Sequence, residues 1–373
     1  MLPYGRQSVD ESDIAAVEKV LRSDWLTTGP VVTQFEEALA ARVGADCVAV
    51  SSGTAALHVA YAAVGVGPGD EVVTTPMTFV ATAAAAALLG ARIVFADVEP
   101  DTANLDPAAA AAAITSKTKA VAAVDYAGHP ADYDALRAIT RDAGVSLIAD
   151  AAHAIGSRWR GQPVGSLADV TTFSFFPTKN LTTAEGGAVA TSDPALLDRA
   201  RRFANQGMIR ARERLRYPDE GGWHQEVHSF GLNYRLPDVL CALGLSQLHR
   251  LDRFRAARAR LVERYNTLLA DVPGLRLPAR RPEADPMWHL YPVRILDGRR
   301  REVYERMRAA GIGVQVNYLP VYWHPVFEDL GYRRGMCPVA EQFYREELSL
   351  PLFPDLTDAE QDRVIETLIK ILQ

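Results

Sequence analysis

The stretch Leu147-Ile148-Ala149-Asp150-Ala151-Ala152-His153 reads as a buried strand that ends in a carboxylate. Its apolar run has no polar face, so both sides of such a strand are covered. The same character recurs before it, at Cys47-Val48-Ala49-Val50, Glu71-Val72-Val73-Thr74, Arg92-Ile93-Val94-Phe95 and Ala120–Val124. It recurs after it at Val170–Phe175 and Ala188-Val189-Ala190-Thr191. Helical patterns lie between these runs at Phe35–Val43, Ala55–Val64 and Phe79–Leu89, and the run Ala108–Ala113 is a strong helix former. Apolar strands alternating with helices predict an α/β fold: a mostly parallel sheet with helices on both faces.

Beyond Leu245 the pattern changes. A long helix, about Gln247–Leu269, carries Leu248, Leu251, Phe254, Leu261 and Tyr265 on one face. A strand at Leu290–Ile295, a helix at Arg301–Ala310, a strand at Val314–Tyr318 and a terminal helix from Asp358 complete a smaller α+β unit. The expected division is a large domain over 1–245, including an N-terminal segment that contacts substrate, and a small domain over 246–373.

A chain of 373 residues is long enough for two or three domains. Its net charge of −6 gives no general attraction to nucleic acid or to an anionic membrane. Arginines crowd Arg199–Arg216 and Arg250–Arg260; acidic residues interleave the second group on a helical pattern, which reads as a solvated face. Cys47, Cys241 and Cys337 share no metal-ligand spacing and read as reduced thiols. No apolar signal core follows Met1–Arg6, and the longest small-apolar run, Ala81–Leu89, is too short to span a bilayer. The expected location is cytoplasmic.

Four stretches carry chemistry. Ser51-Ser52-Gly53-Thr54-Ala55-Ala56 is a small-residue turn at a helix start, where free N–H groups suit a phosphate; taken alone it reads more readily as a plain turn capped by Ser or Thr. Asp150 stands at the carboxyl end of a parallel strand, where such folds bind ligands, and a buried carboxylate there needs a cation. A protonated pyridine nitrogen would supply one and would make that ring an electron sink. His153, three residues on, either braces this carboxylate or contacts a cofactor, or it is a satisfied core histidine. In Thr172-Phe173-Ser174-Phe175-Phe176-Pro177-Thr178-Lys179-Asn180 a lysine follows an apolar strand amid aromatics. Poor solvation lowers a lysine's pKa and frees its amine to attack an aldehyde. Gly231-Leu232-Asn233-Tyr234-Arg235-Leu236-Pro237 offers an amide and a guanidinium to a phosphate, or simply caps a turn.

In this order Ser-Ser-Gly-Thr-Ala-Ala, Asp-Ala-Ala-His, Ser-Phe-x-Pro-x-Lys-Asn, Glu-Gly-Gly and Gly-x-Asn-x-Arg resemble the DegT/DnrJ/EryC1/StrS nucleotide-sugar aminotransferases. The resemblance covers essentially the whole chain. It implies the fold type I architecture of enzymes dependent on pyridoxal 5'-phosphate, working as homodimers with shared active sites. By that resemblance Lys179 holds the cofactor covalently and Asp150 partners its pyridine nitrogen. Gly53, Thr54, Ala55 and Ser174 match the phosphate cradle, and Phe79 the aromatic stacked on the ring. His153 lies beside the cofactor oxygen, and Asn233 reaches the phosphate of the neighbouring subunit.

Within the family, Pro3-Tyr4, Ser23–Pro30, Tyr126-Ala127-Gly128, Val316–Pro320 and Glu347–Pro354 look most like one branch. That branch aminates C4 of UDP-linked 4-keto-6-deoxy hexosamines on the pseudaminic acid route. The resemblance implies L-glutamate as donor, 2-oxoglutarate as its product, and Tyr4, Trp25, Leu26, Thr27 and Tyr318 as substrate contacts. Phe176, Asn317 and Asp125 depart from the histidines common in that branch, near the expected sugar site. A dTDP-linked 3- or 4-keto sugar is the alternative substrate. A lyase or racemase on amino acids would not need the N-terminal sugar segment, and a dehydratase of this family resembles it with His in place of Lys179. A cofactor-binding regulator would need a DNA-binding segment, and no basic helix-turn-helix is present.

Overall fold

The computed structural model describes all 373 residues. Seven strands form the main sheet: β1 (Asp46–Val50), β2 (Glu71–Thr74), β3 (Arg92–Phe95), β4 (Thr118–Val124), β5 (Ser146–Asp150), β6 (Val170–Ser174) and β7 (Gly187–Thr191). Their order is β1-β7-β6-β5-β4-β2-β3, and only β7 runs antiparallel to its neighbours. The α/β reading of a mostly parallel sheet is therefore correct. The pleat sends alternate side chains to opposite faces. Val50, Val72, Ala122 and Ile148 enter one apolar cluster, while Ala49, Val73, Ala123 and Leu147 enter another.

The first face is covered by α3 (Gly53–Ala63) and α4 (Ala81–Leu88), whose alanines let helix and sheet approach closely. The second is covered in part by α2 (Pro30–Val43), which follows α1 (Glu11–Leu21). An antiparallel sheet of β8 (Leu275–Arg276), β9 (Tyr291–Ile295) and β10 (Glu347–Leu350) lies in the C-terminal part. The first apolar cluster continues into it through Tyr291, Val293 and Leu348. The N-terminal segment is sewn to that part by backbone bonds. Leu2 N–H donates to Gly311 O at 2.9 Å, Gly313 N–H to Leu2 O at 2.7 Å, and Leu352 N–H to Tyr4 O at 2.9 Å.

Three expectations need correction. The long helix is two, α5 (Asp238–His249) and α6 (Leu251–Leu269), broken at Arg250, which leaves helical geometry as its guanidinium pairs with Asp10 and Asp13. Our proposed division at 245/246 falls within α5. Val314–Tyr318 is not a strand. Gln315 and Ser349 exchange backbone bonds as one isolated pair, and the next N–H of the ladder, that of Asn317, goes instead to the Glu347 carboxylate at 2.7 Å. Nor is Arg250–Arg260 a wholly solvated face. Arg258 is only 1% exposed and donates to the carbonyls of Trp288, His289 and Leu352 at 3.3, 3.2 and 3.1 Å.

Candidate active site

The parallel strands of an α/β sheet end together, and ligands bind beyond those ends. Here a cavity of about 550 Å³ opens at that edge. Asp150 at the end of β5 and Ser174 at the end of β6 line it, with Gly53 and Thr54 from the start of α3. Thr78, Phe79 and Thr82 come from the entry to α4, Lys179 from the turn after β6, Gln315–Tyr318 from the C-terminal part, and Tyr4 from the N-terminal segment.

The turn that carries Lys179 is pinned. Lys179 N–H donates to Phe176 O at 2.8 Å, and Asn180 Nδ2 donates to the carbonyls of His153 and Met287 at 3.0 and 2.9 Å. Burial lowers the Lys179 pKa to about 8, against the pull of the Asp150 charge. The amine thus loses its proton more readily than an ordinary lysine's, with about a tenth of it free at pH 7.

Asp150 is 5% exposed. Its Oδ2 accepts from the Thr82 hydroxyl at 2.6 Å and its Oδ1 from Ala152 N–H at 3.1 Å. Burial raises its pKa, and these two bonds and the Lys179 charge oppose the rise. His153 does not brace this carboxylate. Residues after Asp150 form turns rather than a helix, which carries the imidazole toward Tyr318; its Nε2 lies 3.0 Å from that hydroxyl. The ring packs 4.4 Å from that of His289, centroid to centroid. Burial and the Lys179 charge push His153 well below its ordinary pKa, and burial with the charges of His153, Lys179 and Arg258 does the same to His289.

The turn is Ser-capped, and its start also faces the cavity. Ser52 caps α3 by accepting Ala55 N–H at 3.0 Å, and Ala55 is buried away from the cavity, while Gly53 and Thr54 line it. A Cβ on Gly53 would meet Ser174 Cβ at 2.7 Å, and one on Gly187 would meet Ser52 O at 2.6 Å. Only glycine fits at either position. Phe79, 57% exposed, and Phe176 flank the opening, with the Phe79 ring 6.2 Å from that of Tyr318. Burial raises the Tyr4 pKa, and its bond with Thr178 opposes this.

Other expected residues lie elsewhere. Asn233 is exposed, bridged to Asn205, and outside this wall; Trp25, Leu26 and Thr27 form an exposed turn before α2. Asp125 stands beside Asp150, its N–H donating to Asp150 O at 3.1 Å, but does not line the cavity. It is fully buried and holds the turn after β4, accepting from Ala131 N–H and the Tyr133 hydroxyl, each at 2.9 Å, and burial pushes its pKa up to about 7. Thr82, Thr178, Glu185 and Asn317 complete the wall, with Glu347 and His289 behind it. Thr82 carried a signal: it is the one hydroxyl in the alanine-rich α4. Glu347 opened a stretch marked only by its resemblance to one branch, with nothing to place it behind this wall, and His289 carried no signal.

These residues fit pyridoxal phosphate. Asp150 is a buried carboxylate facing the cavity, Lys179 a partly deprotonated amine beside it, and the glycine-lined turn admits a phosphate. His153 Nδ1 is buried without a partner in the chain, so this atom too awaits a polar group.

Residues 7–369 match the model of the DegT/DnrJ/EryC1/StrS aminotransferase family. The chain is 40% identical to the spore coat polysaccharide biosynthesis protein SpsC of Bacillus subtilis, over 100% of this chain and 97% of that protein. Its fold is similar to the putative sugar aminotransferase Spr1654 of Streptococcus pneumoniae in its PMP-form (TM-score 0.94, 30% identity, 100% and 99% of the two chains). It is also similar to Helicobacter pylori PseC, an aminotransferase involved in the biosynthesis of pseudoaminic acid (TM-score 0.93, 31% identity, 100% and 99%). The chain belongs to the DegT/DnrJ/EryC1/StrS aminotransferase family and is a pyridoxal-phosphate-dependent aminotransferase.

Proposed function

We propose that the enzyme transfers an amino group from L-glutamate to a nucleotide-linked 4-keto-6-deoxy sugar, UDP-linked in preference to dTDP-linked, leaving 2-oxoglutarate and a 4-amino sugar. The observation that carries this is the composition of one wall. Around Lys179 and Asp150 stand Thr78, Thr178, Tyr4, Gln315, Asn317 and Tyr318, a hydroxyl- and amide-rich lining suited to a polyhydroxylated ring. The sugar-directed relatives named above support it.

When bound, the cofactor withdraws electrons from the carbon that exchanges its proton. Lys179 would be the residue that holds the cofactor, and its amine, with a pKa lowered to about 8, would take and return that proton. Asp150, kept in place by Thr82 and Ala152 N–H, holds the pyridine nitrogen protonated. Gly53, Thr54 and Ser174 would hold the phosphate, Phe79 the ring, and neutral His153 would offer its buried Nδ1 to a polar group of the cofactor. Phe79 and Phe176 limit water at the opening.

We further propose a homodimer in which Asn233 reaches the partner's phosphate and Trp25, Leu26 and Thr27 meet substrate held across the interface. Support comes from Phe230 and Trp223, 95% and 83% exposed on the excursion that leads to Asn233, since monomers rarely expose such residues together. No helix is long and apolar enough to cross a membrane, and a cytoplasmic location is part of the proposal.

The test is to load the enzyme with glutamate and challenge it with UDP- and dTDP-linked 3- and 4-keto sugars. Amination of a UDP-linked 4-keto sugar at least tenfold faster than of the others is the expected result. Turnover of a dTDP-linked sugar alone, or of none, overturns the substrate reading.

A further inference from the structure

Asn317 is clamped on three sides. Its N–H donates to Glu347 Oε2 at 2.7 Å, its carbonyl accepts from the Tyr126 hydroxyl, and its side-chain Nδ2 lies 3.0 Å from Ser349 Oγ. Ser349 Oγ in turn lies 2.6 Å from Glu347 Oε1. Glu347 and Ser349 are fully buried, whereas Asn317 belongs to the cavity wall. The Oδ1 of Asn317 has no partner in the chain and is not sealed from solvent, which on this wall means the cavity.

A hydroxyl has one proton to give, so the three groups form a relay with two settings. When Glu347 is ionised it only accepts; Ser349 donates to it and must accept from Asn317 Nδ2, and the Asn317 carbonyl oxygen is presented to the cavity. When Glu347 is protonated at Oε1 it donates to Ser349, whose hydroxyl then donates to Asn317 Oδ1, and the amide turns its NH2 to the cavity. Asn317 N–H keeps its bond to Oε2 in both settings.

We propose that Asn317 is a specificity-determining residue for the sugar, and that Glu347, acting through Ser349, is the positioning residue that sets whether Asn317 offers an acceptor or a donor to the substituent beside the ketone. This rests on the sugar reading of the cavity. The relay is poised near the working range, because burial pushes Glu347 up to about 8. Of the groups around it, Arg300 favours the ionised carboxylate, and its bonds from Ser349 and Asn317 do likewise. The Tyr126 and Tyr318 hydroxyls, both strongly raised by burial, stay neutral throughout.

Glu347→Gln separates the settings. A glutamine that accepts Asn317 N–H with its oxygen must donate its NH2 to Ser349, which locks the relay with the Asn317 NH2 toward the cavity at every pH. Two measurements are made between pH 6.5 and 9.5 on the holoenzyme. The first is the side-chain amide NMR signal of Asn317, identified by its loss in Asn317→Asp. It should shift with a midpoint near Glu347's titration in wild type, and not in Glu347→Gln or Ser349→Ala. The second is the KM of the amine-loaded enzyme for the UDP-linked 4-keto sugar. It should change about five- to tenfold through the same midpoint, the difference one hydrogen bond makes, and be flat in Glu347→Gln. Lys179, which titrates nearby, affects both half-reactions, so the glutamate half-reaction should keep its wild-type profile in Glu347→Gln. An amide signal that ignores pH, or a Glu347→Gln profile that superimposes on wild type, overturns the relay. A pH-responsive amide in an enzyme that aminates no keto sugar keeps the relay but overturns the specificity role together with the substrate reading.

Discussion

Thr82→Val tests the electrostatics of the site without touching a group that meets the cofactor. The substitution keeps the volume and removes one hydroxyl, the donor that lies 2.6 Å from Asp150 Oδ2. A hydrogen bond to a charged group contributes about 1.5–3 kcal/mol, so its loss shifts the ratio of ionised to protonated Asp150 by about ten- to a hundredfold toward the protonated form. The direction follows from the structure: the Thr82 bond lowers the Asp150 pKa against burial, and without it the pKa rises further. The ionised form is then lost as pH falls, from a higher pH than in wild type. The acid limb of the single-turnover rate of the glutamate half-reaction should therefore move to higher pH in the variant, with rates recovering toward wild type as pH rises. Thr82→Ser should restore the acid limb. A Thr82→Val profile parallel to wild type at all pH values, reduced or not, would refute the role of Thr82 as the brace of a working carboxylate.

Lys179→Ala should cut turnover by about 10³-fold or more in a folded protein, and capture of added cofactor by the wild-type apoenzyme should rise with pH through about 8; normal turnover in the variant sinks the assignment. Asn233→Ala should weaken cofactor retention about ten- to a hundredfold, and its mixed dimer with Lys179→Ala should keep half of wild-type activity at limiting cofactor. Activity well below half there, restored by excess cofactor, would place Asn233 in its own subunit's site. Arg258→Ala strands the carbonyls of Trp288, His289 and Leu352 and should cost about 3 kcal/mol in urea unfolding, with Arg258→Met costing less; a loss under about 1 kcal/mol would show that the buried guanidinium is dispensable.

Strands covered on both faces are the easiest elements to read, and β2 and β3 were legible to the residue because nothing but the apolar run sets their limits. The positions of Asp150, Ser174 and Lys179 were legible for a related reason: the first two stand where an apolar strand stops, and Lys179 in the turn that follows one. Val314–Tyr318 has a strand's composition, but its pairing was decided by Glu347, a carboxylate from a distant segment that takes the N–H the ladder needed. Arg258 resembles its exposed neighbours Arg253 and Arg260 in every local respect. Only the carbonyls brought against it from residues 288, 289 and 352 distinguish it. Trp25 and Asn233 are exposed and lie outside the cavity wall, and only the proposed homodimer would bring them to a site.

The stitching of Leu2 and Tyr4 to residues 311–313 and 352 also orders events during synthesis. A ribosome releases the first wall of the cavity long before the backbone that receives it exists. The main sheet and the lysine turn can assemble while the leading segment still hangs free, and Tyr4 takes its place only when the last sheet strand, Glu347–Leu350, has emerged. Until then the cavity lacks the part of its wall that Tyr4 supplies. Completion of the carboxyl end draws the amino end across it.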